Sequence, residues 1–91
     1  MSVLNGNVPN PFNPTTPFSF VLATSGHVNL SVYTLRGQLV STLVDGNLGT
    51  GPHSVEWSGI DDSGRRASSG IYLVRMVAPD RIQNRRITLV K

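Results

Sequence analysis

The sequence predicts an all-β chain folded as an antiparallel sandwich of about seven strands, of the Greek-key type. Three observations carry that prediction. Short apolar runs alternate with a period of two. Turn residues separate them at regular spacing. No window of a dozen residues places apolar side chains at i, i+3, i+4 and i+7 without a Gly or Pro nearby, so helix signals are nearly absent.

The elements follow in order. Residues 7–17 hold Pro9, Pro11, Pro14 and Pro17 and are expected to be extended and rigid, at most an edge strand. PFSFVL puts Phe18, Phe20 and Leu22 on one face. HVNLSVYT alternates more clearly, with Val28, Leu30 and Val32 inward and Asn29 and Ser31 outward. LVSTLV is rich in β-branched residues, and its ambiguous face suggests a bulge. HSVEW aligns Val55 with Trp57. In IYLVRMVA the charge of Arg75 argues that Tyr72, Val74 and Met76 point inward. ITLV gives Ile87 and Leu89 one face. Ser25-Gly26, a tight Arg36-Gly37 turn, a longer connection from Asp45-Gly46 to Gly51-Pro52, Asp61-Asp62-Ser63-Gly64, Ser68-Ser69-Gly70 and Pro79-Asp80 separate these runs.

Composition bounds the function. Ninety-one residues allow one domain with one core, 1–91, in which 1–3 read as an added start or linker. At 38% hydrophobic and 14% charged the chain is globular. It has no cysteine, which excludes disulfides, thiolate zinc sites and a thiol nucleophile. No apolar run approaches the ~18 residues of a membrane span. The start MSVLNGNVPN has neither the basic region nor the apolar core of a signal peptide, so an export signal is expected upstream in a larger parent. Seven of the eight cations, Arg65, Arg66, Arg75, Arg81, Arg85, Arg86 and Lys91, fall in the last stretch against a single acid, Asp80. Such a charge balance attracts phosphate or an acidic partner, or forms a solvated strand face.

At this point a family resemblance appears. Asn10-Pro11-Phe12-Asn13-Pro14 resembles the "NPFNP" opening of the C-terminal sorting domains of the type IX (Por) secretion system. Val32-Tyr33-Thr34-Leu35-Arg36-Gly37 looks like the family's "VYDxxGR" hairpin, and the run from His53 through Trp57 to Gly59 is similar to its "HxVxWDG". Asp61-Asp62-Ser63-Gly64 and Ser69-Gly70-Ile71-Tyr72 look like its "DxxG" and "SGxY", and Ile87-Thr88-Leu89-Val90-Lys91 resembles its closing strand. Ser58 stands where Asp is common, and Arg85-Arg86 where Lys is common. The same immunoglobulin-like sandwich is shared with a domain of the flagellar hook-capping protein. The resemblance implies a non-catalytic C-terminal address. The parent would reach the periplasm by a conventional signal peptide. Outer-membrane type IX machinery would then read the domain and deliver the upstream cargo to the medium or the cell surface. Neither nucleic acid nor membrane insertion is expected.

The same residues have a physical reading. The prolines push their predecessors to extended geometry and present Phe12 as a rigid apolar anchor, a plug for one end of the sandwich or a recognition surface. Trp57 is expected in the core with its indole N–H bonded; the alternative is a sugar-stacking platform with Tyr33 or Tyr72. Asp61-Asp62-Ser63-Gly64 lacks the alternating ligands and distal Glu of a calcium loop and reads as a turn capped by an Asp side chain, so no metal is expected. His27 and His53 come with no Gly-x-Ser-x-Gly elbow, and there is no phosphate-binding glycine pattern; no catalytic or cofactor-binding residues are assigned. The expected recognition surface is Arg86, Thr88 and Lys91 of the basic final strand beside Gly70 and Tyr72. A structural Ig-like spacer and a carbohydrate-binding module are the other roles this reading leaves open.

Overall fold

The computed structural model describes residues 2–4 and 15–90. These form seven strands: β1 (Val3–Leu4), β2 (Thr16–Leu22), β3 (Gly26–Thr34), β4 (Leu39–Leu48), β5 (Gly51–Trp57), β6 (Gly70–Val77) and β7 (Ile82–Leu89). They pair in two antiparallel sheets, β1-β2-β5 and β4-β3-β6-β7. An all-β antiparallel sandwich is thus what the alternating sequence builds, and no helix occurs among the described residues. No helix is therefore long and apolar enough to cross a membrane, which says nothing of strands.

The core is made by the inward faces read from the alternation. Phe18, Phe20 and Leu22 come from one sheet, and Val28, Leu30, Val32, Tyr72, Val74, Met76, Ile87 and Leu89 from the other. All are buried, with Trp57 of β5 among them. Each fully buried large side chain contributes about 1.5–3 kcal/mol before conformational entropy is charged against it.

β4 explains its own ambiguous pattern. Leu30 pairs with Val44 and Ser31 with Thr42, so Leu43 is an extra residue. Val32 pairs with Ser41 and Tyr33 with Leu39, so Val40 is another. These two bulges turn Val40 and Leu43 toward the core, alongside Val44, where strict alternation would divide them between faces.

Four expectations need correction. Asp45 to Leu48 are strand, not loop, because they continue to pair with Gly26 to Asn29, which leaves only Gly49-Thr50 as the β4–β5 connection. β7 begins at Ile82, five residues before the apolar run, because the polar stretch Gln83 to Arg86 is carried by hydrogen bonding to β6. Ser31 does face outward, yet it is only 1% exposed. Its short side chain sits between its register partners Thr42 and Arg75 on the central strand, with its hydroxyl bonded to Asn29 Oδ1 at 2.7 Å.

The fourth correction concerns the start of the chain. Residues 2 and 3 are not a linker. Ser2 and Leu4 are fully buried, and Val3–Leu4 pairs with Val21 and Phe20. So short a strand cannot hold itself, and side chains of the opposite sheet hold it. The Ser2 amide donates to Asp80 Oδ2 at 2.8 Å, and the Leu4 amide donates to Gln83 Oε1 at 2.6 Å. Ser2 Oγ in turn accepts from the Ala23 amide at 3.0 Å. β1 thereby closes the gap between the two sheets on the β7 side. The Asn10 to Pro14 motif, Phe12 included, lies outside the described residues.

Two substitutions test this packing by urea unfolding. Trp57→Ala should cost about 3–5 kcal/mol and Leu4→Ala about 2–5 kcal/mol. A Leu4→Ala midpoint equal to that of the parent chain would show that β1 is not part of the cooperative unit.

Candidate interaction surface

The residues singled out in the sequence divide between the two faces of the same strands. Tyr72 goes inward. It is 7% exposed, its ring meets Trp57 edge-on at 5.6 Å and 73°, and its hydroxyl donates to the Ser68 carbonyl at 2.5 Å. Burial pushes its phenol pKa up, which keeps it a neutral donor. This is the tyrosine corner of an immunoglobulin-like sandwich, a Tyr near the start of a strand tied back to backbone a few residues upstream. Tyr72 is therefore removed from the expected recognition surface, since alternation along β6 sends it away from Arg86 and Thr88. Gly70 begins that strand with a positive φ, in a conformation that other residues rarely adopt, and sets the corner.

Trp57 is buried with its indole Nε1–H donating to the Ile60 carbonyl at 3.0 Å. The connection 58–69 wraps over it, held by an Ile60–Arg66 bridge and by the Ala67 amide on the Gly59 carbonyl at 2.8 Å. A buried indole offers no stacking face to a sugar, so the carbohydrate platform loses its best candidate.

Arg86 and Thr88 lie outward on β7, opposite Leu73 and Ile71 of β6. Lys91 lies outside the described residues. Arg85, on the other side of the strand, donates to the Asn84 carbonyl at 3.0 Å. The outer face of the four-stranded sheet can be read off its register. One row crosses all four strands as Leu39, Tyr33, Leu73 and Arg86, and the next as Thr42, Ser31, Arg75 and Asn84. Leu39 is 54% exposed and Ile71 47%. The sequence motifs do not gather Tyr33, Leu39, Leu73 and Arg75 into one surface. A partial signal lies in IYLVRMVA, where assigning Tyr72, Val74 and Met76 inward leaves Leu73 and Arg75 outward together.

At the same end, a cleft of about 270 Å³ opens between the β3–β4 hairpin and the connection, lined by Thr34, Leu39, Val40, Asp61, Arg66 and Tyr72. Its carboxylate is already committed. Asp61 Oδ1 accepts from the Ser63 hydroxyl at 2.7 Å, the Arg65 amide at 2.9 Å and the Ser63 amide at 3.0 Å. This is the Asp-capped turn read from the sequence. These bonds, the Ser63 hydroxyl first, hold its pKa below the ordinary carboxylate value. Such a carboxylate is a poor general base. Asp62 Oδ1 accepts from the Thr42 amide at 3.1 Å and ties the turn to β4.

The histidines stand apart from this cleft. His27 pairs with Asp45 at 2.8 Å on open surface. His53 stacks on Phe20 and bonds the Gly49 carbonyl at 2.8 Å. Among the described residues no three His, Cys, Asp or Glu side chains gather as metal ligands.

Two sheets of three and four strands, a buried tryptophan and a tyrosine corner define an immunoglobulin-like domain. The chain belongs to the FlgD Ig-like domain family, whose pattern matches residues 6–81. FlgD Ig-like domains are typically non-catalytic. No curated protein sequence matches the chain. Among solved structures it is similar to part of dimeric latent PorU from Porphyromonas gingivalis, with TM-score 0.77, 20% identity and 99% of this chain covered. It is also similar to part of PorZ of the same organism, described as a surface component of the type IX secretion system, with TM-score 0.63, 18% identity and 97% covered. FlgD from P. aeruginosa gives TM-score 0.61 and 22% identity over 96% of the chain. At these identities the likeness is one of fold. The chain spans 9% of PorU, 11% of PorZ and 67% of the FlgD chain.

Acid should weaken the fold through two turns. Asp80, like Asp61, has its pKa lowered from 3.8, first by the Ser2 amide. A carboxylate whose folded pKa is depressed stabilises the fold fully above its unfolded value and loses that contribution as pH falls through the folded one. The thermal midpoint should therefore drop as the pH is taken down through the unfolded carboxylate value and below it. Asp61→Asn and Asp80→Asn should each flatten that decline in a circular-dichroism melting series.

Proposed function

We propose that this domain is a C-terminal targeting module. It directs a larger exported bacterial protein across the outer membrane by the type IX secretion system, for release or surface attachment. The observation that carries the reading is the ordered set of motifs along nearly the whole chain, from Asn10-Pro11-Phe12-Asn13-Pro14 to the closing strand. The fold supports it in two ways. The motifs around Trp57, Asp61 and Tyr72 build one end of the sandwich, and the likeness to part of PorZ attaches the same fold to a surface component of that secretion system. In this reading Gly70 and Trp57 shape the domain. Arg86 and Thr88, with Lys91, present the closing strand to the outer-membrane machinery. The upstream cargo is the second partner, and the parent is secreted or displayed on the surface by way of the periplasm.

Family membership favours a second reading, an Ig-like domain with a structural or interaction role, such as a spacer in a multidomain surface protein.

One experiment separates the two. Residues 1–91 are fused to the C-terminus of a periplasm-exported reporter in a bacterium with a type IX apparatus. Reporter on the surface or in the medium, lost when the apparatus is deleted, is the expected result. A stable, folded fusion retained in the periplasm would establish the structural role instead. Deleting residues 87–91 does not make this distinction, because Ile87 and Leu89 are core residues. Their loss unfolds the domain as well as removing its last strand.

A further inference from the structure

The outer face of an antiparallel sheet that meets water is ordinarily polar. On this domain one end of that face is not. Leu39, Tyr33 and Leu73 stand side by side across three strands. Ile71 lies diagonal to them, and Leu35, 53% exposed, follows at the hairpin tip. Leu35, Leu39 and Ile71 are exposed and Tyr33 and Leu73 partly so, and a contiguous apolar group of this kind is a feature of interaction sites. The outer-face row beyond it, Thr42, Ser31, Arg75 and Asn84, is polar and separates this group from a smaller exposed pair, Val77 and Ile82, at the other end of the sheet.

At the β7 end of the apolar row the charge has one sign. Arg86 ends that row, and Arg75 occupies the diagonal position on the neighbouring strand. Both are exposed, and neither is in an ion pair among the described residues. Like charges at such positions repel, at about 7–8 Å between backbones, unless something else neutralises them. Of the acids on the outer face, Asp45 lies two rows away and is paired with His27. Asp61 is occupied by its own turn, and Asp62 caps the Thr42 amide on β4, two strands away from Arg75.

We infer that this face, centred on Tyr33 and Leu73 and flanked by Arg75 and Arg86, docks a protein surface that is apolar at its centre and acidic at its rim. The inference rests on the targeting reading and locates the contact: the machinery reads a tertiary surface drawn from β3, β4, β6 and β7, of which the closing strand supplies only Arg86 and Thr88. The planar guanidinium fork matches carboxylates in two-point bonds, which favours an acidic rim. A second copy of the chain would set Arg75 and Arg86 against their own kind. The apolar row is only three strands wide, about 10–15 Å, which suits a protein anchor better than a lipid surface.

The reporter fusion tests this with three surface substitutions and a matched control, each checked for an unchanged melting temperature in the isolated 91-residue domain. Leu73→Glu and Arg86→Glu should each reduce surface delivery on the order of tenfold, as loss of a central contact does. Arg86→Lys, which keeps the charge but loses the two-point fork, should fall between the parent and Arg86→Glu. Arg85→Glu makes the same change of charge on the other side of β7 and should deliver normally. Normal delivery of folded Leu73→Glu and Arg86→Glu fusions would overturn the inference and leave the targeting reading standing. Retention of the unsubstituted fusion in the periplasm would overturn both. Sedimentation of the domain with phosphatidylglycerol vesicles that Leu73→Glu abolishes, or a concentration-dependent dimer that it abolishes, would assign the face to lipid or to self-association and overturn the protein partner.

Discussion

The indole of Trp57 has to be kept dry while its N–H finds an acceptor, and the connection 58–69 meets both requirements. It passes over the ring, offers the Ile60 carbonyl, and is pinned by the Gly59–Ala67 bond before turning into β6. Tyr72 then closes the corner from the other sheet, packing edge-on against the indole and bonding the Ser68 carbonyl. The Asp61 turn, the cleft beside it and the starting position of β6 all depend on this arrangement. The register of β6 sets which of its residues face out, so the composition of the outer surface depends on it too.

β6 shows how one strand serves two purposes without conflict. Tyr72, Val74 and Met76 are buried among the core residues, while Leu73 and Arg75 look outward between β3 and β7. A change on the outer side therefore alters the surface before it alters the fold, whereas a change on the inner side does the reverse. Packing between the two sheets fixes the inner pattern. It leaves the outer pattern to be set by whatever each domain must meet.

Period-two alternation makes most of the core legible in advance. Phe18, Phe20 and Leu22, or Val28, Leu30 and Val32, need no structure to be assigned to one face. Legibility fails where hydrogen bonding rather than apolar character defines a strand. The polar half of β7 and the Asp45 to Leu48 end of β4 exist because a neighbouring strand is there to pair with them, and no local pattern announces that. It fails again at β1, which is held through the Leu4 amide by Gln83 and through the adjoining Ser2 amide by Asp80, both from the far end of the chain. For the interaction surface, Arg86 and Thr88 stand out by charge and position. The apolar row does not, because its members come from three strands and become neighbours only through the cross-strand register. The motif around Tyr72 points to the surface, although its own strand's alternation turns it inward.

The way β1 is fastened also has a mechanical side. Ser2 and Leu4 are gripped by side chains from the β6–β7 turn and from β7, and Val3–Leu4 lies along β2 in the other sheet. Tension arriving from the chain ahead of residue 2 thus falls on bonds to both sheets at once. The load is shared between them instead of peeling one strand from one edge, and the domain resists as a unit until that short strand gives way. A tug from upstream and the loss of the seal over the core are, for this fold, the same event.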